Sequence, residues 1–187
     1  MWDPTTNRFY YVMDSVLSAS DNRLAFGFSK TASPTTISGA DWCRYFIAYG
    51  SSFPDYPKLG DSRWFIIIGV NTFNPSFIGS DILAVSKPPA GTTCPSGASF
   101  KIGTKLDIRD SGSVRTSTPV PANQVDNNNT GYVVARNGGL PSTMLWFYNV
   151  RRDGTTGNPI IGNARGLTGS QLHRSAGRGT ADIYATD

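Results

Sequence analysis

The side chains able to do chemistry are unevenly stocked: all thirteen acidic residues are aspartates, glutamate is absent, and His173 is the single histidine. Cys43 and Cys94 are the only cysteines. A zinc or non-haem iron centre draws on several His, Cys or carboxylate ligands, so this inventory argues against a conventional metalloenzyme. A Ser-His-Asp or Cys-His nucleophile would need His173, which lies in Leu172-His173-Arg174-Ser175, without a strand or helix pattern to orient an imidazole. The carboxylates that remain suit glycoside hydrolysis by an aspartate pair, for which Asp14, Asp55 and Asp61 are the candidates. Nothing in their spacing brings two of them together.

Ligand binding is better served than catalysis. Asp55, Tyr56, Lys58, Asp61 and Arg63 fall within nine residues and combine acceptors, donors and a ring suited to a polar ligand or sugar. Against this stands an ordinary structural use, with Tyr56 and Pro57 packed, Asp55 capping a turn and Lys58 solvated. Asp126 and Asn128 in the run Asp126-Asn127-Asn128-Asn129 offer hard oxygen donors for calcium, the one cofactor the sequence suggests, yet without EF-hand spacing an Asn-rich turn explains them equally well. Trp42, Trp64, Trp146 and Tyr10-Tyr11 could make a sugar-stacking platform, though aromatics at alternate strand positions usually belong to a core. A disulfide between Cys43 and Cys94 would fit an extracellular or periplasmic protein, and two unpaired buried thiols are the alternative.

The elements that must carry these residues are strands. Abundant Thr, Ser, Gly, Pro and aromatic residues, with no glutamate to favour helix, make the fold class all-β. Six hydrophobic segments pair into three units: Arg8–Met13 with Leu24–Lys30, Arg63–Gly69 with Ile82–Lys87, and Gly131–Arg136 with Leu145–Val150. Each second segment runs into a cationic residue, a turn and a Thr-Thr pair, at Thr35-Thr36, Thr92-Thr93 and Thr155-Thr156. The period of about sixty residues predicts a partial β-propeller of about three blades of antiparallel strands, with a β-sandwich as the alternative. Further strands are expected at Cys43–Ala48, Phe100–Gly103 and Val114–Thr118, while the Pro-bearing stretches 51–55, 88–91 and 119–123 read as connections. Residues 1–165 form the blades, and 166–187 lose alternation and read as a polar, mobile tail.

The formal charge of +4 comes from twelve Arg and five Lys scattered singly except for Arg151-Arg152, which disfavours nucleic acid. Nucleic-acid binding would gather arginines on one face. The longest apolar stretch, Trp64–Ile68, is far too short for a membrane helix, so no membrane association is expected. The opening Met1-Trp2-Asp3-Pro4 shows no secretory leader, so an exported chain would have lost one or be a piece of something longer.

Several phrases carry a family resemblance: Trp2–Tyr10, Asp55–Gly60, the strand Trp64–Gly69 with Asn71–Phe73, Phe77–Ser80 with Leu83–Lys87, and Pro121–Asn123 before Tyr132–Val134. Together they resemble exported bacterial β-propellers of sialidase-like, Asp-box-related architecture over about residues 2–165. The resemblance implies an inner-strand loop at Asp55-Tyr56-Pro57-Lys58 facing a central channel. It also implies a ring that three units would half fill, completed by self-association. A sialidase-like site needs a tyrosine nucleophile backed by glutamate, which this chain cannot supply. The expected function is therefore a non-catalytic extracellular binding or structural module with a carbohydrate ligand, the alternative being a degenerate or split glycoside hydrolase using aspartates.

Overall fold

Strand-forming residues and tight turns arrange the chain into three antiparallel sheets in sequence order. A computed structural model describes residues 1–91, 93–137 and 144–168. The first sheet contains β1 (Trp2–Asp3), β2 (Arg8–Ser18), β3 (Asp21–Ser29) and β4 (Trp42–Gly50), hydrogen-bonded in that order. The second contains β5 (Phe53–Asp61), β6 (Phe65–Phe73), β7 (Phe77–Ser86) and β8 (Ile102–Lys105), again in order. The third runs β9 (Thr116–Pro121), β10 (Gly131–Asn137), β11 (Met144–Arg152) and β12 (Pro159–Ile161), with β13 (Arg165–Thr168) also pairing β11. A single 3₁₀ turn at Gly97–Ser99 is the only helical element among the described residues.

The protein is thus all-β, and its three consecutive meanders fit both a partial propeller and stacked sandwich layers. The six segments expected from the repeat occupy the second and third strands of each sheet. The second sheet is the middle layer. Along β6, Ile66, Ile68 and Val70 join Tyr10, Leu24, Phe26 and Phe28 in one core, while Phe65 and Ile67 join Val133, Ala135, Trp146 and Tyr148 in the other. Alternate side chains of a strand point to opposite faces, so the apolar run Phe65–Ile68 is buried on both sides. Each fully buried Ile contributes about 1.5–3 kcal/mol relative to exposure.

Two Pro-bearing stretches read as connections are strands, and the chemistry is the same in both. Tyr56 (φ 55°) and Thr118 (φ 54°) adopt the left-handed conformation, and each precedes a proline. Tyr56-Pro57 stands opposite Val70 between the pairs Asp55↔Asn71 and Lys58↔Gly69. Thr118-Pro119 stands opposite Ala135 between Ser117↔Arg136 and Val120↔Val134. Two residues facing one make a β-bulge, and an edge strand tolerates the donor that proline lacks. β5 and β9 are both edge strands.

β9 crosses the second sheet: Thr116 N donates to Ile108 O, Thr118 N to Asn71 Oδ1 at 2.8 Å, and Asp61 N to Ala122 O at 3.0 Å. A Cβ at Gly69 would run into the Pro119 backbone, so glycine permits this close crossing. Beyond 165, where a polar tail was expected, the sheet continues: Gly166 pairs with Trp146 and Thr168 with Met144. The remainder of that segment, His173 and Thr92 lie outside the described residues.

Candidate functional site

The five residues grouped in sequence between 55 and 63 separate in space. Tyr56 is 57% exposed at the β5 bulge, with the Lys58 ammonium over its ring, and Asp55 lies half-buried beside it. Asp61 turns inward at the end of β5, where it is 5% exposed. Arg63, in the following turn, is exposed and stacks on Trp64 with its Cζ 4.7 Å from the ring centroid. The segment therefore forms no single binding site.

Asp61 belongs to a buried network that joins all three sheets. Lys87 Nζ lies 2.8 Å from Asp61 Oδ2 and 3.1 Å from Asp3 Oδ2, and its side chain is 3% exposed. Thr6 Oγ1 donates to Asp3 Oδ2 at 2.6 Å and lies 2.9 Å from the Tyr10 hydroxyl. From the third sheet's side, Gln124 donates to Asp61 through its backbone N–H at 2.9 Å and its Nε2 at 3.1 Å. Burial alone would raise the Asp3 pKa, but the Thr6 hydroxyl and the Lys87 charge outweigh it and hold the carboxyl below its usual range. Asp3 and Asp61 share one ammonium, yet neither lines one of the cavities described below. They are an interior pair sharing one counter-ion, ill placed to meet a glycoside.

The cavity with convergent polar groups lies elsewhere, between β4 and the far ends of β6 and β7. Its volume is about 430 Å³, within the usual range for small-ligand sites, and it opens to solvent. Ile47, Ile78, Leu83 and Leu106 supply apolar wall, and Tyr49, Thr72, Asp81 and Asp107 the polar groups. Asp81 is 6% exposed, accepts Thr72 Oγ1 at 3.1 Å and accepts the Asp107 N–H at 2.9 Å. The Tyr49 hydroxyl is shielded from water and lies beside this carboxylate, where Asp81 acts on it both as a charge and as a hydrogen-bond acceptor. Burial, and then the Asp81 charge, push the phenol well above its ordinary pKa, so it remains a proton donor at neutral pH. Asp107 is committed differently: Arg115 Nε donates to its Oδ1 at 2.8 Å while the Arg109 guanidinium holds its Oδ2. Those hydrogen bonds and charges lower its pKa, although burial acts the other way.

Asp126 and Asn128 sit on an exposed turn, where the Asn128 carbonyl accepts from Arg63 N at 2.8 Å. Among the described residues, no three His, Cys or Asp side chains gather as a metal site would require. Asp14 is exposed on β2. Cys43 and Cys94 are joined, with Cα atoms 5.3 Å apart. The aromatic candidates also divide: Tyr10 and Trp146 are core, Trp42 packs edge-on to Tyr11 at 5.7 Å on the outer face of the first sheet, and Trp64 carries guanidinia. The arginines divide among several places, with Arg8 buried against Phe28, Arg23 over Phe46, Arg109 and Arg115 around Asp107, and Arg63 and Arg152 together at Trp64.

Tyr49, Thr72 and Asp81 had no signal in the sequence, since they come from three strands and no motif links them. Asp3 and Lys87 likewise had none, although Asp3 and Asp61 end the first strands of successive sheets, fifty-eight residues apart. Searches against protein-family models, curated proteins and solved structures returned no match.

Proposed function

We propose that this chain is a non-catalytic, extracytoplasmic binding module that takes a small hydroxylated ligand, such as one unit of a carbohydrate, in the cavity at Tyr49 and Asp81. One observation carries the reading: a phenol and a buried carboxylate stand side by side at an open cavity with apolar walls. A ligand hydroxyl would accept from Tyr49 while donating to Asp81, each such hydrogen bond contributing about 0.5–1.5 kcal/mol. The apolar walls suit the C–H face of a sugar ring. The disulfide supports an oxidising compartment.

Hydrolysis is the weaker reading. Glycoside cleavage needs two available carboxylates flanking the bond, and here Asp107 is held by two arginines while Asp3 and Asp61 share a buried lysine. Equilibrium binding to a panel of neutral mono- and oligosaccharides tests the proposal. Saturable binding by the native protein should weaken about tenfold in Tyr49→Phe, which deletes one hydroxyl and keeps the ring. Equal affinity of the two proteins for every saccharide bound, or no binding to any, would remove the reading.

A further inference from the structure

A second site appears where three cations from separate parts of the chain converge. Arg63 and Arg152 both stack on Trp64, with Cζ atoms 4.7 Å and 4.9 Å from the ring centroid. Arg152 also meets Lys101: a Cβ at Gly157 would lie 3.1 Å from Arg152 Nη2 and 2.8 Å from Lys101 Nζ. Gly157 is buried at φ +71°, a conformation that favours glycine, and the Thr156 carbonyl beside it accepts from Lys101 Nζ. The three cations are exposed, and among the described residues none of them has an ion-pair partner within 4.0 Å. Asp153 lies near enough for the Lys101 charge to act on it, but it makes no ion pair with Lys101 and directs its Oδ1 to the N–H groups of Thr155 and Thr156 and to the Thr156 hydroxyl, at 2.6–3.0 Å.

Like charges held this close repel, and an oxyanion placed among them would relieve the repulsion through charge-assisted hydrogen bonds. We propose that Arg63, Lys101 and Arg152, gathered around Trp64, bind the sulfate or carboxylate groups of an acidic polysaccharide. Nucleic acid fits less well. Sequence-tolerant binding of single strands relies on free aromatic faces for base stacking, whereas Trp64 is already engaged by two guanidinia. The planar donor forks of Arg63 and Arg152 match the geometry of carboxylate and sulfate oxygens.

The test uses the full chain and a chondroitin sulfate hexasaccharide, with its desulfated counterpart and a single-stranded oligonucleotide at the same ionic strength. The native protein should bind the sulfated sugar at least tenfold more tightly than either comparison, and the affinity should fall as salt rises. Replacing both arginines, Arg63→Gln with Arg152→Gln, should cost tenfold or more. Lys30→Gln with Arg136→Gln removes the same charge from other surfaces and should cost less than twofold. Equal losses from the two double variants, or an oligonucleotide bound as tightly as the sulfated sugar, would overturn the proposal. Tyr49→Phe should leave this binding unchanged, so its outcome is separable from that of the neutral-sugar cavity.

Discussion

The Asp3–Lys87–Asp61 cluster shows how a few buried charges can hold layers together. Charges removed from water are tolerated when counter-ions and hydrogen bonds compensate them, and here two carboxylates share one ammonium, Thr6 donating to the same Asp3 Oδ2 that Lys87 meets, the Thr5 N–H to Asp3 Oδ1 and the Gln124 N–H to Asp61 Oδ1. Taking away one partner leaves the others buried and unbalanced. Lys87→Met should therefore destabilise the protein by about 3–5 kcal/mol in urea unfolding, more than removal of the solvent-screened surface pair Arg23–Asp21. The pH dependence has a definite sign. The Asp3 pKa is lower in the folded protein than its ordinary 3.8, so its contribution is fully present above about pH 4 and is lost as the pH falls through the lowered value. Asp3→Asn should flatten the loss of stability below pH 4, as followed by circular dichroism.

At the scale of elements, the repeat was legible because hydrophobic strands keep their period whatever surrounds them. β2 with β3, β6 with β7, and β10 with β11 were all marked by alternating or continuous apolar runs. Edge strand β5 and the second half of β9 were hidden because proline usually marks a turn, whereas Pro57 and Pro119 sit in bulges where a missing donor costs little; the expected strand Val114–Thr118 overlaps only the start of β9. The candidate site was less legible still. Tyr49 and Asp81 are thirty-two residues apart, and only the packing of β4 over β7 brings them to one cavity. The Thr-Thr pairs noticed in sequence have a local explanation at two turns: Asp41 accepts the N–H groups of Thr35 and Thr36, and Asp153 those of Thr155 and Thr156. The disulfide ties β4 to the long connection before β8 across fifty-one residues. Closing a loop of that length stabilises by up to about 4 kcal/mol in a chain-entropy account, so reduction with dithiothreitol should lower the urea midpoint by an amount equivalent to about 2–4 kcal/mol. An unchanged midpoint would mean that the bridge is peripheral to folding.

Across the whole molecule, one packing rule is used twice. The face of the first sheet bearing Phe26 and Phe28 receives the second sheet, whose opposite face receives the third. Among the described residues this leaves the outer face of the first sheet uncovered, a groove of about 700 Å³ lined by Tyr11, Met13, Trp42 and Phe46 among others. On the third sheet the outer face carries exposed Val120, Tyr132 and Ile160. Continuing the same rule between chains would seat the third sheet of one copy on the first sheet of another, which is the basis for proposing self-association. Sedimentation velocity should then show a species of at least twice the 20.1 kDa chain mass that Phe46→Asp shifts toward monomer. A monomer at all concentrations would remove that assembly without touching the cavity.

Binding without turnover is checked by incubating the protein with a saturating saccharide that it binds and analysing that sugar by mass spectrometry. The saccharide should be recovered intact after prolonged incubation, with binding weakened in Tyr49→Phe. Cleaved product that is lost in Asp81→Asn would contradict it.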